Sequence, residues 1–223
     1  MTPERFATLR DRLDKRQPDL TVLMDDVHKS HNVSAVIRTC DAVGIFEAHA
    51  FHADGPLRRH DNTSAGAGRY VGLRQHPDIA TGIRHLKDQG FRVLAAHFSD
   101  RAVEYRKIDY TQPTALLLGS ELNGCSETAA AEADEHVIIP MQGLVASLNV
   151  SVAAAVILFE AQRQRLVAGL YDESRLDPGI RERVLFEWAH PKIAHFCRQR
   201  GYPYPGLTGD GDLAHAPGPA ASK

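Results

Sequence analysis

An α/β fold, with a parallel sheet flanked by helices on both faces, is what this sequence predicts, and three observations predict it. Short β-rich apolar runs alternate with segments of helical periodicity along most of the chain. The helical segments are closed by glycines, as at Gly44 and Gly90. The 223 residues, 43% hydrophobic and 24% charged, suit one medium globular domain with elaborated ends rather than a disordered or fibrous chain.

The elements follow in order. Residues 3–16 read as an amphipathic helix carrying Phe6, Leu9 and Leu13 on one stripe and stopped before Pro18. Leu20 to Met24 is a strand, followed by the loop HKSHN. Asn32 is placed as N-cap of a helix whose Val33, Val36, Ile37 and Cys40 fall at i, i+3, i+4 and i+7. The same grammar then gives a strand at 47–53, a Gly-rich loop, a strand near 70–74, a helix at 78–89 and a strand at 92–98. After a loop come a strand at 114–118, a helix at 126–133 and a strand at 136–139. The helix beginning near Asn149, VSVAAAVILFEAQ, is apolar almost all round, so it is expected to be deeply buried, in part against a second copy of the chain. From Gly206 the chain is rich in Gly and Pro without periodicity and reads as a disordered tail.

Composition narrows the function classes. The apolar run Val152 to Phe159 falls far short of the ~20 residues of a membrane helix, and the N-terminus MTPERFATLRDR lacks an apolar signal segment. Cys40, Cys125 and Cys197 are widely separated without a CxxC pair, which points to a reducing cytoplasm and to neither a disulfide framework nor a cysteine metal site. None of the twelve histidines has metal-ligand spacing with another along the chain, so no metal is expected. Net charge is −2, yet three stretches are locally basic. Residues 55–76 carry Arg58, Arg59, Arg69 and Arg74 against Asp61; residues 161–200 carry eight Lys/Arg against five acids; residues 1–16 carry five against three. That pattern keeps a polyanionic partner in view.

In an open α/β sheet, ligands bind beyond the carboxyl ends of the strands. Four loops directly follow predicted strands: 27–32, 96–104, 119–125 and 140–148. GAGRYVG at 66–72 misses the dinucleotide fingerprint in spacing, and GSELNG lacks the GK[ST] ending of a phosphate loop. Polar residues gather in the four loops instead: Asn32 with Arg38 six positions on, Glu121 between Gly119 and Gly124, and Ser147, Asn149 and Ser151 at the entry of the apolar helix. The last three are more polarity than one helix cap requires.

Three segments carry a family resemblance. HNVSAVIRTCDAVG (31–44), LLLGSELNG (116–124) and IIPMQGLVASLNVSVAAAVILFEAQRQR (138–165) resemble the three motifs of the SPOUT methyltransferases, closest to the SpoU branch that methylates the 2′-hydroxyl of guanosine 18 in tRNA. KRQPDLTV (15–22) and IDYTQPTA (108–115) fit the same branch. The resemblance implies a parallel sheet with a deep C-terminal trefoil knot, S-adenosylmethionine as cofactor, tRNA as substrate and a cytoplasmic homodimer. It implies a cofactor pocket from Ala96, His97, Gly119, Ile139, Met141 and Leu148, and catalysis by Arg38, Asn32, Glu121, Ser147 and Asn149. It divides the chain into an RNA-binding N-terminal helix (1–18), a catalytic domain (19–168), an RNA-binding helical extension (169–205) and the tail (206–223). Two positions depart from the family: Leu122 stands where a lysine follows the glutamate of the second motif, and Ala146 where a glutamine precedes the serine of the third. A ribosomal RNA ribose, or RNA binding without turnover, are the alternative functions.

Overall fold

The computed structural model describes residues 1–55 and 67–219. Arg58, Arg59, Asp61 and Gly66 of the basic stretch, and the last four residues of the expected tail, lie outside the described residues. The chain forms two compact units, one of residues 17–170 and the other of residues 1–16 with the chain from Tyr171 onward.

Among the described residues the larger unit holds seven strands, β1 (Leu20–Asp25), β2 (Glu47–Phe51), β3 (Gly72–Gln75), β4 (Arg92–Ala96), β5 (Val103–Glu104), β6 (Thr114–Leu118) and β7 (Glu135–Ile138). They form one parallel sheet in the order β3-β2-β1-β6-β4-β7-β5. Period-two alternation divides its core. From β1 and β6, Leu20, Val22, Met24, Leu116 and Leu118 pack with α2 (Ser30–Ala42) and α5 (Val150–Val167). Leu23, Ala115 and Leu117 point to the other face, into Ile79, Ile83 and Leu86 of α3 (Ile79–Asp88) and Ala129 of α4 (Glu127–Glu132). Strands covered on both faces read as continuous apolar runs, which is why LTVLM and TALLL look alike. The two-residue β5 is too short to show a period in the sequence.

Parallel strands put four loop ends on one edge. After β1 the chain enters α2, after β6 it makes a tight turn, after β4 it runs to β5, and after β7 it enters α5. Arg165 of α5 is fully buried, with its guanidinium donating to Tyr110 O, Gln112 O, Asp19 O, Gln17 Oε1 and, at 2.7 Å, Asp19 Oδ1. Those bonds tie the helix to the amino-terminal ends of β1 and β6.

In the smaller unit α1 (Pro3–Asp14) buries Phe6, Leu9 and Leu13 as expected, and Thr2 caps it by accepting from Arg5 N. It packs with α6 (Pro178–Ala189), where Arg181 Nη2 meets Asp14 Oδ2 at 2.9 Å; α7 (Pro191–Arg200) follows and ends at Gly201 in the left-handed region. The segment from Gly206, expected to be disordered, is ordered at its start: Leu207 bridges Leu213, Thr208 N donates to Asp212 O, and Gly211 O lies 2.7 Å from His190 Nε2. Low apolar content hid this, because the segment is fixed by backbone bonds. Gly211 is also required there, with φ at +84° and a Cβ that would fall 2.3 Å from Phe6.

Candidate active site

The sheet edge beyond β1, β6 and β7 gathers three of the residues singled out from the sequence. Asn32 Nδ2 donates to Glu121 Oε1 at 2.6 Å, and Asn149 Nδ2 donates to Asn32 Oδ1 at 3.2 Å. Three loops are thereby joined through a buried asparagine. Glu121 also accepts the backbone N–H groups of His28 and Lys29, at 3.4 and 3.3 Å. Burial raises its carboxyl pKa, but the bonds from Asn32, Lys29 and His28 outweigh that and hold the group below its ordinary value. Glu121 is therefore a fixed anion facing the amino end of α2, where the helix dipole favours negative charge.

This geometry corrects the capping assignment. The residue at the N-cap of α2 is Lys29, which makes no side-chain cap bond, and Asn32 is the third residue inside the helix. The carboxylate that serves the helix entry comes from Glu121, 92 positions away from Lys29. Asn149 does cap α5: its Oδ1 accepts from Ser151 N and Ser151 Oγ, leaving Nδ2 for Asn32.

The other two candidates stand apart from this network. Arg38 is exposed about two turns further along α2, and Ser147 is exposed in the loop before α5; neither has a polar partner among the described residues. Both face solvent in the single chain.

The residues expected to hold a cofactor line the neighbouring loops. Ala96 ends β4, and its carbonyl accepts the Cys125 thiol at 3.8 Å. Burial, then Asp25, pushes that thiol up to about 12, so Cys125 is an inert core group. His97 is half-buried edge-on to His136, with ring centroids 5.0 Å apart; burial, then His136 and Arg101, lowers its pKa. Ile139, Met141 and Leu148 are half-buried, while Leu144 and Val145 of the same loop stand exposed. Gly119 is required by the turn: a Cβ there would lie 2.0 Å from Gly124 C, and Ser120 and Gly124 exchange backbone bonds at 2.9 and 3.0 Å. A glycine-tight turn beside a loop with half-buried and exposed apolar side chains suits a ligand with an apolar ring and hydrogen-bonding edges.

Asp25 is a further site residue that no sequence motif marks. This buried acid at the end of β1 accepts from Ser126 N at 2.7 Å, pinning the start of α4 against the 119–125 turn. Its only signal was an acid closing an apolar strand.

The chain is similar to known proteins in sequence and in fold. The SpoU rRNA Methylase family matches residues 19–159, and the family of SpoU rRNA methylase C-terminal segments matches 163–216. The tRNA (guanosine(18)-2'-O)-methyltransferase of Escherichia coli K12 is 47% identical over 215 residues, spanning 96% of this chain and 94% of its own length. The A. aeolicus TrmH/SpoU tRNA modifying enzyme superposes with a TM-score of 0.80 at 38% identity, covering 85% of this chain and 97% of its own. The SpoU methyltransferase AviRb of Streptomyces viridochromogenes, solved in complex with AdoMet, gives a TM-score of 0.61 at 26% identity over 70% of this chain and 64% of its own. Matched over most of its length in sequence and fold, the chain belongs to the SpoU methylase family.

Proposed function

We infer that the protein methylates the ribose 2′-hydroxyl of guanosine 18 in tRNA with S-adenosylmethionine as donor. The likeness to the Escherichia coli enzyme across 96% of the chain carries this reading, and the linked Asn32, Glu121 and Asn149 supply a site for it. Bound in the pocket, the cofactor supplies an electrophilic methyl on a sulfonium. Ala96, His97, Gly119, Ile139, Met141 and Leu148 are the residues that would hold it; the tight turn at Gly119 and the apolar loop fit its backbone-contacting and apolar parts.

The chain's own groups act on the ribose. A 2′-hydroxyl is a poor nucleophile, so its proton must leave or its developing anion be stabilised, with the oxygen held in line. Arg38 binds the adjacent phosphate and stabilises the alkoxide, since a guanidinium is effectively always protonated and is a poor base. Asn32, fixed on both sides by Glu121 and Asn149, orients the ribose, and Ser147 completes the polar wall.

The reading extends to a knotted carboxyl-terminal half and a homodimer working in the cytoplasm. Among the described residues no helix is long and apolar enough to cross a membrane, and the three cysteines are free and buried. Val152, Phe159, Leu166 and Val167 of α5 are 47, 48, 55 and 82% exposed in the single chain, an apolar surface that a second copy would cover. Basic side chains of α1 and α7, among them Arg10 and Lys192, would grip RNA phosphates.

The test is transfer of labelled methyl to an unmodified tRNA transcript, beside one carrying a 2′-deoxy sugar at guanosine 18. Label on the first alone is expected. Label on both moves the target nucleotide, and label on neither overturns the tRNA reading in favour of ribosomal RNA, the substrate in the family's own name.

A further inference from the structure

We propose that Asp26, His28 and His52 form a site for a divalent transition-metal ion of the zinc type at the carboxyl ends of β1 and β2. Among the described residues this is the group of three His, Cys, Asp or Glu side chains whose ligand atoms all lie within 4.8 Å of one another. Spacing along the sequence hid it because β1 and β2 pair in parallel with Asp25 opposite Phe51, which sets residues 26–28 beside His52.

The geometry suits coordination in three respects. His28 Nε2 and Asp26 Oδ2 are 3.3 Å apart, the edge of a tetrahedron whose metal–ligand bonds are ~2.0 Å. The Asp26 carboxylate is oriented from behind: its Oδ1 accepts Ala53 N–H at 2.9 Å, leaving Oδ2 to face the histidine. His52 brings a half-buried ring, edge-on to His28 at a centroid distance of 5.3 Å, whose Nδ1 is buried without a hydrogen-bond partner among the described residues. A buried ring nitrogen left unpaired is unfavourable, and either it must find a ligand or the fold bears the penalty. Two imidazoles and one carboxylate favour Zn²⁺, Co²⁺ or Ni²⁺ over Mg²⁺ or Ca²⁺, which prefer all-oxygen shells.

Position gives the site a structural consequence. Asp26 is held in the left-handed region at φ +56°, and its N–H donates to Phe51 O, so the carboxylate is fixed to the end of β2. His28 N–H donates to Glu121. An ion held by these side chains therefore fastens the loop that leads into α2, which Glu121 also holds through His28 N–H, and limits the motion of Asn32.

The experiment uses the full chain without a histidine tag, stripped with chelator and titrated with Co²⁺ alone under visible absorption. One equivalent giving a d–d band that Zn²⁺ abolishes is expected. Asp26→Asn and His52→Ala should each weaken Co²⁺ binding at least about tenfold, whereas His85→Ala, in a separate histidine group, should leave the band intact. Asparagine tolerates left-handed backbone, so Asp26→Asn keeps the fold, and circular dichroism checks it. In parallel, Zn²⁺ should raise the melting temperature of the unaltered chain and leave that of Asp26→Asn unchanged. Absence of a saturable band, its survival in both ligand variants, or its loss in His85→Ala overturns the proposal.

Discussion

Glu121 serves three donors with one carboxylate: it accepts from the His28 and Lys29 amides at the entry of α2 and from the side chain of Asn32. Removing it should separate two effects. Loss of a helix-entry acceptor costs about 1 kcal/mol, whereas releasing Asn32 misplaces a site group, for which about a hundredfold in rate is typical. Glu121→Ala is therefore expected to lower methyl transfer about a hundredfold while moving the urea midpoint only slightly. A rate loss no larger than the unfolded fraction explains would make Glu121 purely structural. Arg38, exposed and without a polar partner among the described residues, poses the opposite case, because its proposed role depends on guanidinium chemistry alone. Arg38→Lys keeps a charge and loses the planar fork. The rate should fall sharply with unchanged melting, and a lysine that restores most of it would rule out a guanidinium-specific role.

At the scale of elements, what was legible in the sequence is what periodicity writes. Phe6, Leu9 and Leu13 on α1, and Val36, Ile37 and Cys40 on α2, are buried as their spacing indicated. What was not legible depends on partners remote in sequence. Asn32 looked like a cap because nothing local shows that Glu121 replaces one, and Ser147, read with Asn149 as one polar group, lies outside its network. Arg165 sits in a helix that reads as apolar, and its counter-charge Asp19 comes from the other end of the unit. Breaking a buried ion pair from one side strands the remaining charge, at about 3 to 5 kcal/mol. Asp19→Asn is thus expected to destabilise near the lower end of that range, since Asp19 is 19% exposed and Arg165 retains its carbonyl and Gln17 acceptors. Urea unfolding measures it, and a loss under about 1 kcal/mol would mean that neutral acceptors, the asparagine amide oxygen among them, satisfy the guanidinium.

Over the whole molecule, two properties follow from groups that no single element controls. If the proposed dimer forms on the exposed apolar residues of α5, light scattering is expected to give about twice 24.5 kDa, and a monomer would remove the dimer from the proposed function. The second property is acid sensitivity. His49 of β2 is 3% exposed and stacks on His76, with Nδ1 2.9 Å from His76 Nε2 and His85 close by. Burial first, then the neighbouring His76, His85 and Arg74, lowers the His49 pKa to about 3, even with Glu47 Oε2 at 3.7 Å; burial, His85 and Arg74 also lower His76. In the unfolded chain both take up protons near pH 6.5. Below that pH the unfolded state binds more protons than the folded one, so stability falls as pH drops, until His49 itself protonates near pH 3. Each such proton contributes a slope of up to about 1.4 kcal/mol per pH unit. Urea midpoints are expected to be flat above about pH 7 and to fall between pH 6.5 and 5, a window above the titration of most carboxylates. His49→Gln, which keeps a polar side chain but removes the proton site, should flatten that fall. An unchanged slope in the variant would place the acid sensitivity elsewhere, with His97, whose pKa burial also lowers, the next group to replace.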